Sequence, residues 1–283
     1  MSKAKPETSP AIQAARRGDE EALVLCVAEG CDLDLRDASG RSTDGLTAAM
    51  IAVDKGWARG LSILIDAGCD IEAKDPSGRA AAMHAFIRGQ ANCLALLADA
   101  GCSLDGKSGR GITMPIAAVK AGSPSCLELL IKAGGNLEGR DNRRQTPAIW
   151  AAICGNAECL GLLISAGCDI DAIDRLGNTP AIWAAMLGRA DCLSLLIASG
   201  CDLEAKDRWQ MSAAAWSANK GNASCLRMLL EAGAGIQSLA KDGRSPLDMA
   251  FEHGRSEYLA LIEQHFLGLA AANPPHGKPN LRM

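Results

Sequence analysis

Apolar positions along the chain fall into short runs of helical spacing separated by small polar stretches. In TPAIWAAMLGRADCLSLLIASGCDLEAKD, from Thr179 to Asp207, Ile182, Ala184 and Ala185 form one short apolar face. Cys192, Leu193, Leu195, Leu196 and Ile197 form a second stripe, with the i, i+1, i+4 spacing that buries one side of a helix. Thr179 followed by Pro180 predicts an N-cap with proline at the first helical position. Gly188 and Gly200 predict left-handed stops. Cys201 to Asp207 is too short and polar for a third helix, and with Arg208 to Met211 it reads as an extended turn or hairpin. The unit is therefore two helices of about two turns each and a finger, and one such unit cannot bury its apolar face alone.

The same unit recurs before and after this stretch. The first helix-ending glycine returns as Gly18, Gly56, Gly89, Gly122, Gly155, Gly188, Gly221 and Gly254, every step 33 residues except a first step of 38. The five extra residues lie in Ser42 to Thr47. The second glycine returns as Gly30, Gly68, Gly101, Gly134, Gly167, Gly200 and Gly233, in phase with the first. A fixed period of this length signals a stacked repeat array. These residues resemble the ankyrin repeat family, whose pattern is Asp-x-x-Gly-x-Thr-Pro, Ala-Ala-x-x-Gly and Leu-Leu-x-x-Gly-Ala. Here it stands as DRLGNTP from Asp174, AAMLG from Ala184 and LLIASGC from Leu195. The resemblance spans roughly residues 9 to 266 and gives eight units. It implies an all-α repeat solenoid of stacked helix-turn-helix repeats with β-hairpin fingers, curved so that a concave face binds partners. For function it implies little, since this fold hosts many partners and almost no chemistry of its own.

Two positions depart from the family pattern. The family's histidine, two residues after the proline, hydrogen-bonds within the turn; here that column reads Ile12, Met50, Met83, Ile116, Ile149, Ile182, Ala215 and Asp248. The fingers are accordingly expected to be held more by packing than by a polar latch. The family's turn asparagine is replaced by Asp34, Glu72, Asp105, Glu138, Asp171 and Glu204, so the asparagine hydroxylation known in the family is not expected.

A net charge of −4 gives no general attraction to nucleic acid or an anionic membrane. The polar start MSKAKPETSP has no apolar core, and no stretch reaches the roughly 18 apolar residues of a membrane span. Twelve cysteines first suggest disulfides or metal. The register argues for packing instead: Cys93, Cys126, Cys159, Cys192 and Cys225 share one buried column, where cysteine acts as a small hydrophobe. Cys31, Cys69, Cys102, Cys168 and Cys201 share a second, after the helix-ending glycine. There is no Cys-x-x-Cys, and His84, His253, His265 and His276 are not grouped with cysteines at ligand spacing. A soluble cytoplasmic protein, in a reducing compartment and without metal or cofactor, is expected.

Residues 1–8 read as a disordered tail, 9–267 as the repeat domain and 268–283, with three prolines, as a flexible tail. The repeats start near 9, 47, 80, 113, 146, 179, 212 and 245. The first and last are polar enough to cap the stack. The insertion from Ser39 to Thr47 is a contact loop or tolerated slack. Repeats three and four have weaker helix starts and extra glycines, Gly106, Gly109 and Gly111, and read as the loosest part. Repeats five to seven are the most regular.

Trp150, Trp183 and Trp216 occupy equivalent positions on the first helix, a slot that the resemblance turns toward the concave side. The same slot holds Gln13, Ile51, His84, Ala117 and Met249 elsewhere, and Trp209 adds an indole at a finger tip. Two readings stand: each indole packs against the next finger, or it anchors a partner. Arginines crowd the tips at Arg143, Arg144, Arg175 and Arg208, with acidic residues at the finger bases. They form a solvated face of weak ion pairs or a basic edge that steers an acidic surface onto the groove. The leading function is a non-enzymatic protein-binding module, a monomeric scaffold, adaptor or inhibitor, that uses these four tryptophans and four arginines. The alternative is a nucleic-acid-binding or regulatory subunit using the basic tips, which the net negative charge disfavours. The sequence carries no phosphate loop, nucleophile constellation or metal spacing that would mark an enzyme.

Overall fold

The computed structural model describes residues 9–37, 45–109, 111–235, 240–241, 243–245 and 248. The expected terminal tails, most of the lengthened first finger, Arg110 and nearly all of the eighth repeat lie outside the described residues. The chain divides into two compact units, residues 1–169 and 170–283. The first contains five helix pairs: α1 (Pro10–Arg17) and α2 (Glu20–Ala28), α3 (Ala48–Asp54) and α4 (Ala58–Asp66), α5 (Ala81–Arg88) and α6 (Ala91–Asp99), α7 (Met114–Ala121) and α8 (Pro124–Lys132), α9 (Pro147–Cys154) and α10 (Ala157–Ser165). In the second, the described pairs are α11 (Pro180–Leu187) with α12 (Ala190–Ala198), and α13 (Ala213–Lys220) with α14 (Ala223–Glu231). The chain is an all-α repeat solenoid.

Helices of two turns are too short to persist alone, so stacking supplies their stability. In the first unit the leading helices α1, α3, α5, α7 and α9 each pack on the next, and α2, α4, α6, α8 and α10 do likewise; α11 packs on α13, and α12 on α14. Alanines such as Ala81, Ala82, Ala85, Ala181, Ala184 and Ala185, almost wholly buried, keep the leading helices slim enough to approach closely. The second helices bury paired leucines, Leu94 with Leu97 and Leu193 with Leu196, beside the cysteine column. Cys93, Cys126, Cys159, Cys192 and Cys225 are at most 1% exposed. Repeat two departs to Gly60 for a local reason: a Cβ there would lie 2.2 Å from the Trp57 ring.

Capping follows sequence. Thr47, Thr146, Thr179 and Ser212 accept the N–H of Met50, Ile149, Ile182 and Ala215 through their hydroxyls, closing the first turn. Repeats three and four lack this bond, since Ala80 has no hydroxyl and the buried Thr113 Oγ1 has no partner.

The fingers are tighter than hairpins with paired strands. Among the described residues the only bridge is Lys107 with Thr113. Each described finger after the first is a five-residue turn closed by two backbone bonds: Asp174 N–H donates to Asn178 C=O at 3.1 Å, and Gly177 N–H donates to Asp174 C=O at 3.2 Å. Equivalent bonds close the turns at Asp75, Ser108, Asp141, Asp207 and Ala240. The fourth turn residue is left-handed in every case: Gly78, Gly111, Gly177 and Gly243, but Arg144 and Gln210 at φ 62°.

Candidate partner-binding site

The three slot tryptophans are fixed by the turns that precede them. Asp141 Oδ1 accepts the backbone N–H of Arg143 (2.8 Å) and Gln145 (2.9 Å), while its Oδ2 accepts the Trp150 indole N–H at 3.1 Å. Asp174 repeats this with Leu176, Asn178 and Trp183 (3.0 Å), and Asp207 with Trp209, Met211 and Trp216 (2.8 Å). In repeat three the partner is histidine. Asp75 caps Ser77 and Arg79, and its Oδ2 meets His84 Nε2 at 3.2 Å and Arg79 Nε at 2.7 Å. His84 Nδ1 faces Asp54 Oδ1 at 3.0 Å, and Arg88 meets the same carboxylate at 3.1 Å. In repeat one, Arg16 takes up Asp37.

The fingers entering repeats three, five, six and seven are thus held by a polar latch, contrary to the expectation drawn from the missing family histidine. The latching group has moved to the residue after the histidine column, so the donor is an indole or imidazole on the first turn of the helix. The signal in the sequence is an aspartate nine residues before each slot tryptophan: Asp141, Asp174 and Asp207. Burial alone would raise the Asp75 carboxyl, but hydrogen bonds from the side chain and backbone of Arg79 and from Ser77 hold it below its ordinary value. Asp54 is likewise held low, against its burial, by His84 and Arg88.

With the indole N–H engaged, the ring faces remain partly open. Lys120 Nζ lies 3.5 Å from the centre of the Trp150 ring, and Lys220 Nζ lies 5.3 Å from that of Trp216. Trp209, 41% exposed, meets Trp216 edge to face at 6.3 Å and carries the Arg208 guanidinium at 5.1 Å. Beside this pair opens a cavity of about 400 Å³ floored by Met211 and Ala240, with Lys241 and Arg244 on its wall. Arg143, Arg144, Arg175 and Arg208 are all exposed at finger tips. The second unit thus gathers Trp209, Trp216 and Arg208 at one place, and the first unit carries Trp150, Arg143 and Arg144.

The acidic finger bases have a role the sequence reading left to ion pairs. Asp34, Glu72, Glu138, Asp171 and Glu204 each accept a backbone N–H from the following repeat, at Asp70, Ser103, Asp169, Asp202 and Gly235, over 2.6–2.9 Å. None of the twelve cysteines is in a disulfide. Burial raises those of Cys69, Cys102, Cys159, Cys201 and Cys225 to about 11 and that of Cys168 to about 12. Among the described residues no cluster of His, Cys, Asp and Glu could hold a metal ion, and no helix is long and apolar enough to cross a membrane.

No curated protein gives a significant sequence match. Many solved structures are similar in fold. One is the human ASB11 ankyrin repeat domain, with a TM-score of 0.66 at 23% identity, covering 71% of this chain and 90% of that one. The family model for ankyrin repeats (3 copies) matches residues 11–108 and 114–207. With well over half of its length matched and its helices stacked in successive pairs, this chain belongs to the ankyrin repeat family.

Proposed function

We propose that the chain is a non-enzymatic adaptor or inhibitor that grips an acidic protein surface with Trp150, Trp183, Trp216 and Trp209 as anchors and Arg143, Arg144, Arg175 and Arg208 as a steering rim. Ankyrin repeats are generally protein–protein interaction modules, and the observation that carries the reading is the latch. An indole whose N–H is pinned to a buried aspartate loses little rotamer freedom on binding, which is what makes an aromatic anchor effective. Cations over the rings and arginines at the tips favour a negatively charged partner. Twelve cysteines outside any disulfide suit a reducing compartment, and we assign the protein to the cytoplasm.

Histidine supplies the test, because repeat three already uses it in the same slot. Trp216→His keeps an N–H for Asp207 and removes the indole surface. Trp216→Phe keeps the ring and removes the donor. With the partner recovered by affinity purification and titrated calorimetrically, Trp216→His should weaken binding by about 2 kcal/mol and leave the unfolding midpoint nearly unchanged. Trp216→Phe should lower stability by about 1–3 kcal/mol and keep most of the affinity. Unchanged affinity of the histidine variant would make the tryptophans packing residues only.

A further inference from the structure

From repeat three to repeat seven the latch column is interrupted once. In repeat four the turn aspartate is replaced by Ser108 and the slot residue by Ala117. Ser108 still closes its turn, its N–H donating to Ile112 C=O at 3.0 Å. Its hydroxyl accepts the turn amide of Ile112 at 3.3 Å, but it has no second oxygen to hold a ring donor as the aspartates do. Where its neighbours carry an imidazole or an indole, Ala117 ends at Cβ. A cavity of about 670 Å³ opens beside it, within the usual range for bound ligands. Ile87 and Ile112 supply apolar wall, Ser108 supplies a hydroxyl, and Arg79 and Lys120 bring two cations; no carboxylate is among the described lining residues.

We propose that this cavity is a docking site for an aromatic side chain of a protein partner, carried next to a carboxylate. The repeat pattern supplies the shape argument, because every neighbouring slot from repeat three to repeat seven is filled by the chain's own aromatic or imidazole ring. Charge supplies the second argument: Arg79 is balanced by Asp75, but Lys120 projects beside the opening over the Trp150 face, and an apolar wall edged only by cations favours an anionic neighbour to the ring. None of the four indole anchors lines the cavity, although Lys120 joins it to the Trp150 face, so its occupancy is tested by filling the slot at Ala117 and not by removing a tryptophan.

The probe is acetyl-Asp-Trp-amide, titrated into the full chain with isoleucine methyl signals observed by NMR. The Ile87 and Ile112 methyls should shift saturably. Ser108→Asp with Ala117→Trp rebuilds the latch of repeat five; it should unfold at an equal or higher denaturant midpoint and bind the probe at least tenfold more weakly. Ala117→Ile, the residue type repeat two places in this slot, provides a second filler with the same expected loss. Lys120→Gln should weaken acetyl-Asp-Trp-amide at least threefold and leave acetyl-Asn-Trp-amide unaffected. Absence of saturable shifts, or binding undiminished by both fillers, would overturn the site. Tighter binding of indole-3-acetate than of the dipeptide would overturn its assignment to a protein partner, since a free aromatic acid would then be the better occupant.

Discussion

Asp174 divides its carboxylate between two tasks: Oδ1 closes the turn onto Leu176 and Asn178, and Oδ2 fixes the Trp183 ring. The neighbouring turn residue at the left-handed position shows the opposite tension. Glycine takes that conformation freely, whereas a residue with a Cβ is strained by about 1 kcal/mol, yet repeat five places Arg144 there and repeat seven Gln210. Arg144→Gly should therefore raise stability by about 0.5–1 kcal/mol while slowing partner association, and Gln210→Gly should raise it without the kinetic penalty; denaturant titration and stopped-flow binding check both. The thiols give a second residue-scale prediction. The folded-state values near 11 or 12 of Cys69, Cys102, Cys159, Cys168, Cys201 and Cys225 stand above the ordinary 9, so the contribution of these thiols to stability is full below pH 9 and is lost as pH rises through the folded value. Stability should fall between about pH 9 and 11, and Cys159→Val with Cys225→Val should flatten that fall. The native thiols should also resist alkylation at neutral pH until denaturant is added.

At the scale of the element, what could be read in the sequence and what could not follow from periodicity. Helix limits such as Pro180–Leu187 were legible because Thr179, Pro180 and Gly188 mark them locally. The buried cysteines were legible because they recur in register. The latch was not, because Asp174 and Trp183 lie on a turn and a helix, nine residues apart, a spacing that belongs to neither the helical nor the strand period. A search for polar partners confined to the family's histidine column also missed it, since the donor had moved by one position. In repeat three the latch is ionic, and its pH dependence can be signed. Asp75 and Asp54 titrate below their ordinary value of 3.8 in the folded chain. Their stabilising contribution is complete above that pH and disappears as the pH falls through the lowered folded values. Acid should loosen the finger of residues 75–79, with amide exchange at Ser77 and Arg79 rising as the pH falls below about 4 and Asp75 and Asp54 take up protons; hydrogen-exchange mass spectrometry or NMR would follow it.

At the scale of the molecule, the main helix contacts within a unit, among the described residues, are between neighbouring pairs, so stability approximates a sum of repeat and seam contributions. Removing one whole period should leave a foldable chain. Deleting residues 126–158 joins Ser125 to Cys159 inside the second helix and takes out one complete latch, Asp141 with Trp150. The shortened chain should keep its far-ultraviolet circular dichroism per residue and show a denaturant m-value reduced roughly in proportion to length. A collapsed, dye-binding product would argue that the pairs are not interchangeable. A carboxylate at the finger base, bonded in this way at Asp34, Glu72, Glu138, Asp171 and Glu204, explains why the deletion should be tolerated. It reaches across the seam to a backbone amide, and the receiving residues are aspartate, serine or glycine without distinction. A joint that reads only main chain is indifferent to which unit arrives next, and proline alone, having no amide hydrogen, is barred from the receiving position. Slippage or unequal recombination by 33 codons can therefore lengthen or shorten the gene one repeat at a time, and reach is then open to selection without any interface being reinvented.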